Sequence, residues 1–203
     1  MSHINQGVEQ TFESLAVNSP MSGNIQYHVV YVAKDGNDST GDGSMGAPYL
    51  TVVAALAAIT DNSAVNRYTV KVAPGIYSEN NPIQMKDWVS IEGYKQPVCK
   101  ITAANVNSNL FTASANPVCG LHNLALSGVT TGYLLDVSNA TSLVLTNIIL
   151  EDSQNGMLIN NAAASVTADG LQFRQSTGTM VRGIYNTNGF LTATNLRVRE
   201  QST

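Results

Sequence analysis

The chain has 203 residues, enough for one sizeable domain burying roughly 70% of its unfolded surface, so neither a metal nor a disulfide framework is needed to hold it together. Only 12% of its residues are charged, against about 25% in average proteins. The net charge is -4, and the absence of a Lys/Arg cluster excludes a groove built to neutralise nucleic-acid phosphates; no apolar run approaches the roughly 18 residues of a membrane span.

Residues 1–27 are polar and weakly periodic, and no basic stretch is followed by an apolar one, so no secretion signal is read there. They are expected to form an arm or anchor, with "QTFESLAV" able to make one docked helical turn. Residues 28–67 are expected to form a cap consisting of a strand at Val29 to Val32, a Gly/Asp-rich loop and a helix at about 52–60. In the loop, Asp35, Asn37, Asp38 and Asp42 lie among glycines and form a weak calcium candidate through their oxygens. They do not match the EF-hand register, and Asp and Gly also make turns, so no metal is assigned. In the helix, Val52, Leu56 and Ile59 fall on one face and Thr51 can cap the first turn. That apolar face is expected to close one end of a stack of coils.

Residues 68–203 are expected to be the coils themselves. "VAPGIYSE" at 72–79 and "VSIEGY" at 89–94 supply early strands, and an internal repeat follows. Aligning "CGLHNLALSG", "VLTNIILED", "TADGLQFRQ" and "TATNLRVRE" places Asn123, Asn147, Gly170 and Asn195 in one column, at intervals of 24, 23 and 25 residues. Phe111, Leu135, Ile159 and Ile184 form a second column in step with it. Alternating apolar residues mark short half-buried strands, and Asn and Gly tolerate the left-handed backbone of a bend. A period of this length, made of strands and Asn/Gly corners, predicts an all-β parallel β-helix with a short capping helix. Leu124, Ile148, Leu171 and Leu196 are expected to form one inward ladder.

Cys99 and Cys119 lie in different segments and match no zinc spacing. Free buried thiols are the favoured reading, with a disulfide as the alternative, and no cofactor is assigned.

The repeat also predicts which outward residues stack. One column reads Ser127, Glu151, Arg174 and Arg199, and the next reads Gly128, Asp152, Gln175 and Glu200. Glu151 and Arg174 are therefore expected to form a surface salt bridge between neighbouring coils. Asp152 and Glu200 fall two coils apart, about 9.6 Å by strand spacing, at the limit for an acid/base carboxylate pair. His122, just before a bend and in a column with Thr146, Asp169 and Thr194, reads as a turn histidine rather than a catalytic one, and Tyr133 and Tyr185 are the aromatic candidates for stacking on a sugar.

The order "YVAKDGNDSTGDGSMGAPYLTVVAALAAI", "YTVKVAPGIYSE" and "VSIEGY" resembles the N-terminal cap and first coils of the pectin lyase-like superfamily of right-handed, single-stranded parallel β-helices. In character it is closest to the phage and virus structural members of tailspike or tail-fibre type. The superfamily includes pectate lyases, pectin methylesterases, polygalacturonases and non-enzymatic virion proteins, so the resemblance implies the fold more than an activity. The signature segments of those enzymes, such as the Arg-x-Pro-x-x-Arg of a pectate lyase, are missing.

The expectation is a non-enzymatic structural component of a virion, made in the host cytoplasm: a phage tail fibre, spike or baseplate protein, or a capsid decoration. It would meet other virion subunits through residues 1–27 and its last coil, as a homo-oligomer, with a trimer expected by analogy and a host-surface glycan as a further partner. The alternative is a polysaccharide lyase or hydrolase using Glu151, Asp152, Arg174 and Glu200. A glycan-binding module without turnover ranks third.

Overall fold

The structure, a computed structural model, describes residues 25–113, 118–139, 142–176 and 180–200. The first elements are β1 (Gln26–Val32), α1 (Val52–Ala58), β2 (Asn66–Val72), β3 (Gly75–Glu79) and β4 (Ile83–Met85). The next coils contain β5 (Val89–Gly93), β6 (Cys99–Ala103), β7 (Phe111–Ala113), β8 (Val118–Ser127), β9 (Leu135–Val137), β10 (Ser142–Glu151) and β11 (Asn155–Ile159). The last are β12 (Ser165–Asp169), β13 (Gln172–Gln175), β14 (Arg182–Asn186), β15 (Phe190–Thr194) and β16 (Arg197–Glu200).

The strands pair in parallel and wind into a β-solenoid of about 5 turns, with α1 as its one short helix among the described residues. Three ladders run along the stack. The first is β1-β2-β5-β8-β10-β12-β15, and the third is β4-β7-β9-β11-β14. The second joins β3, β6, β13 and β16 through the far halves of β8 and β10, which bend and so belong to two ladders at once. The expected arm is outside the described residues up to residue 24. β1 begins inside the remainder of it because Gln26 already pairs with Asn66 of β2.

The bends explain the repeat. Asn123, Asn147, Gly170 and Asn195 all have positive φ, between 53° and 72°. At these corners the left-handed backbone that an amide or a bare Cα tolerates turns the strand within about one residue. Asn147 Nδ2 donates to Asn123 Oδ1 at 3.1 Å, and Asn195 Nδ2 donates to Asp169 Oδ1 at 2.7 Å. The side chains therefore link one coil to the next at the corner.

Inward columns fill the core. Val70, Ile91, Leu121, Leu145 and Ala168 stack beneath the first ladder, and Tyr77, Ile101, Leu126, Leu150 and Phe173 beneath the second. All of these side chains are buried, and each large apolar one stabilises the fold by about 1.5 to 3 kcal/mol. Leu124, Ile148 and Leu171 also lie fully buried, as the repeat predicts. Leu196 does not: it is 48% exposed, because no further described coil lies beyond it. The other column needs one correction. The partner of Leu135 is Met157, which in turn faces Ile184, while Ile159 faces Val137. The corner after β10 is shorter than the period implied, and a slip of two residues keeps the same face inward.

The cap forms around α1. Thr51 Oγ1 accepts from the Ala54 amide at 3.1 Å, as a capping residue should. A second acceptor comes from the first coil: the fully buried Glu79 takes the Val52 amide at 2.8 Å and the Val53 amide at 3.2 Å. Burial pushes the Glu79 carboxyl above its ordinary value, and these two amides oppose the rise. Tyr77, two residues after Gly75, is buried and donates its hydroxyl to the Ala73 carbonyl at 2.9 Å, which closes the Pro-Gly-x-Tyr corner onto its own strand end.

Candidate functional site

The predicted carboxylates sit on the outer face of the second ladder. Glu151 and Arg174 are register partners, as the repeat predicts. Their surroundings differ from a surface salt bridge, because the Glu151 side chain is only 2% exposed and is held by two cations. Arg174 donates its Nε to Oε2 at 2.8 Å, with its terminal nitrogen on the same oxygen, and Lys100 pairs with Oε1. Ser127 stands between Thr102 and Glu151 in this column, and Lys100 reaches over from the neighbouring column that includes Ala125. A carboxylate facing outward is thus enclosed by the two cations that neutralise it, one from two coils before it and one from the coil after it, so the cluster spans four successive coils.

Asp152 occupies a second corner, with φ 47°. Its carboxylate accepts from the Ser176 amide at 2.7 Å and from the Ser176 hydroxyl at 2.7 and 2.8 Å. The Glu200 backbone pairs with Gln175, while its side chain lies outside the described residues. Of the four residues of the enzyme alternative, the structure brings Glu151 and Arg174 together and gives Asp152 a separate partner on the next coil.

The loop aspartates act as turn and cap residues. Asp38 accepts from the Leu50 and Thr51 amides at 2.7 and 3.0 Å and from the Thr51 hydroxyl at 2.8 Å, which ties the loop to the start of α1. Asp42 accepts from the Ser44 amide at 2.8 Å, and its carboxyl is held below the usual range by its bonds to Ser44. Asn37 accepts from the Ser39 and Thr40 amides. Among the described residues no three His, Cys, Asp or Glu side chains gather as a metal site. Cys99 and Cys119 are free and buried, and burial pushes the Cys119 thiol up to about 12.

A second cluster lies on the outer face of the first ladder, where the structure adds Tyr31, Lys71 and Glu92 to the column of His122, Thr146, Asp169 and Thr194 that the repeat predicts. In register, Tyr31 of β1 faces Lys71, Lys71 faces Glu92, Glu92 faces His122, and Thr146, Asp169 and Thr194 continue the line. Lys71 Nζ lies 2.6 Å from Glu92 Oε2. The half-buried His122 ring folds back over Gly120, where a methyl group would run into its Nε2. Burial lowers the His122 pKa and Lys71 lowers it further, against the pull of Glu92.

Beside this cluster is a cleft of about 310 Å3 walled by Tyr31, Pro74 and Tyr94, with Lys71 and Glu92 on its floor. It exists because the early corners are wider than the later ones. Val72 and Gly93 lie level with each other in the stack, as do Gly75 and Cys99, so the corner takes residues 73–74 in one coil and residues 94–98 in the next. In the coil after that, Asn123 alone makes the turn. The wide corner throws Tyr94 outward, 79% exposed, while its amide is fixed on the Val72 carbonyl at 3.1 Å and the Cys99 sulfur at 3.2 Å.

Neither a family model nor a curated protein sequence matches the chain. Among solved structures it is similar to pectin methylesterase PemA from Erwinia chrysanthemi, with a TM-score of 0.60 at 12% identity over 83% of this chain and 54% of that one. The chain thus spans about half the length of that enzyme, and at this identity the likeness establishes a common parallel β-helix architecture.

Proposed function

We propose that this chain is a non-enzymatic structural module of a virion, a phage tail component (fibre, spike or baseplate) or a capsid decoration, in which the solenoid serves as a stiff spacer. The observation that carries this reading is the placement of Glu151. A carboxylate that exchanges a proton with a sugar must touch it, whereas Glu151 is enclosed by Lys100 and Arg174 in a cluster that spans four coils. Asp152 is likewise tied to Ser176 of the following coil. The outward carboxylates of this ladder act as braces. On this reading the chain meets other virion subunits and is itself a homo-oligomer, with a trimer expected.

A second reading, a polysaccharide lyase or hydrolase, is favoured by the fold likeness to an enzyme that acts on pectin. Incubating the purified chain with pectin, polygalacturonate and bacterial capsular polysaccharides, and following chain length and ester release, separates the two. The structural reading expects no turnover and a solution mass of three chains by light scattering. Turnover that disappears in Glu151→Gln or Asp152→Asn, with the variants still folded, would replace it with the enzymatic reading.

A further inference from the structure

We infer that the cleft over the Lys71–Glu92 pair is a binding site for a single neutral sugar residue. Its volume of about 310 Å3 is at the bottom of the range of small-molecule sites, which suits one ring better than a long segment of chain. Two tyrosines, Tyr31 and Tyr94, line it, and Tyr94 stands out into solvent on a backbone held by two hydrogen bonds, so the ring is presented without being needed in the core. Tyrosine combines an apolar face, suited to the C–H face of a sugar, with a polar tip.

The floor decides which sugar fits. The Lys71 and Glu92 side chains are 41% and 34% exposed, so both remain reachable while paired. The ammonium has three donors and the carboxylate several acceptor sites, more than one contact uses. Two neighbouring hydroxyls, each able to give and accept, can therefore bridge the pair. The pair has no net charge, and His122 beside it is held toward its neutral form, so the floor offers no uncompensated cation. A uronate would have to compete with Glu92 for Lys71 and would meet its repulsion at close range. The inference goes beyond the structural role proposed above and does not depend on it, since a spacer and an enzyme could each have such a site.

The test is saturation-transfer NMR of the full chain with galactose, glucose, mannose and N-acetylglucosamine, and with galacturonate as the charged comparison. Transfer to at least one neutral sugar, with a Kd in the millimolar range and at least tenfold weaker binding of galacturonate, is expected. Tyr94→Ala should weaken binding by at least tenfold and Tyr94→Phe by less than threefold, with both variants melting at the wild-type temperature. Lys71→Met/Glu92→Leu, in which neither charge is left alone, should abolish binding without unfolding the chain. Silence from all four neutral sugars, tighter binding of galacturonate, or binding indifferent to Tyr94→Ala would each overturn the assignment. None of these outcomes bears on polysaccharide turnover, so the failure of either reading is visible separately.

Discussion

Asn123 and Asn147 hold the same left-handed backbone one coil apart, and the amide of the second donates to the amide oxygen of the first at 3.1 Å. One residue type thus meets two demands at this corner, a positive φ and a link along the stack. Replacing Asn147 by Ala is expected to cost about 1 to 2 kcal/mol for the backbone alone, with the lost side-chain bond in addition. Asn147→Gly should lose the bond but keep the backbone, and so fall between wild type and Ala. Urea midpoints of the three proteins check the order.

Glu151 gives the largest expected single-site effect on the outer face. Removing one partner of a buried ion pair leaves uncompensated charge, but Lys100 and Arg174 are partly in water, so about 2 to 3 kcal/mol is expected for Glu151→Gln. Lys100→Met/Glu151→Leu/Arg174→Met removes the whole cluster and should lie closer to wild type than Glu151→Leu alone. A triple variant less stable than that single variant would show that the cluster braces the coils beyond mutual neutralisation.

The His122 ring occupies space that Gly120 leaves open. Gly120→Ala should push the ring outward into water and raise its pKa back toward 6.5, which an NMR titration of the imidazole reads directly. The same shift governs stability. Because the folded chain holds His122 below 6.5, the unfolded chain takes up its proton first as the pH falls, so stability drops as the pH falls through and below 6.5 and recovers above it. Gly120→Ala should flatten that slope.

Glu79 has the opposite sign. Its folded pKa is raised above 4.5 by burial, so its contribution is fully present below 4.5 and is lost as the pH rises through the folded value. The stability of wild type relative to Glu79→Gln should therefore decline as the pH climbs from 4.5 toward neutrality. Melting temperatures of both proteins across that window measure it, and a difference that grows with pH would contradict the assignment.

The solenoid was legible in the sequence because a corner that demands positive φ admits few residue types, and the chain repeats Asn, Asn, Gly and Asn at that place. Thr51 and the apolar face of α1 were legible for a similar local reason. The repeat puts Ile159 in the column where Met157 belongs because alternating apolar residues look the same after a slip of two, and only the length of the preceding corner tells them apart. The burial of Glu151 had no sequence signal: Lys100, which encloses one side of it, lies in an earlier coil and a different column, outside the period that aligns Glu151 with Arg174. The extension of the His122 column to Glu92 and Lys71 was hidden for a related reason. Those two residues precede the regular repeat, where corners of unequal width offset the numbering.

Those unequal corners determine where the chain can be lengthened. A peptide spliced between Tyr94 and Cys99 would extend a corner that already bulges from the stack and would leave the ladders on either side in register. The same peptide placed at Asn123 or Asn147 would force apart β8 or β10, each of which serves two ladders. As a display scaffold, the protein would accept foreign loops at the early bends and reject them at the later ones.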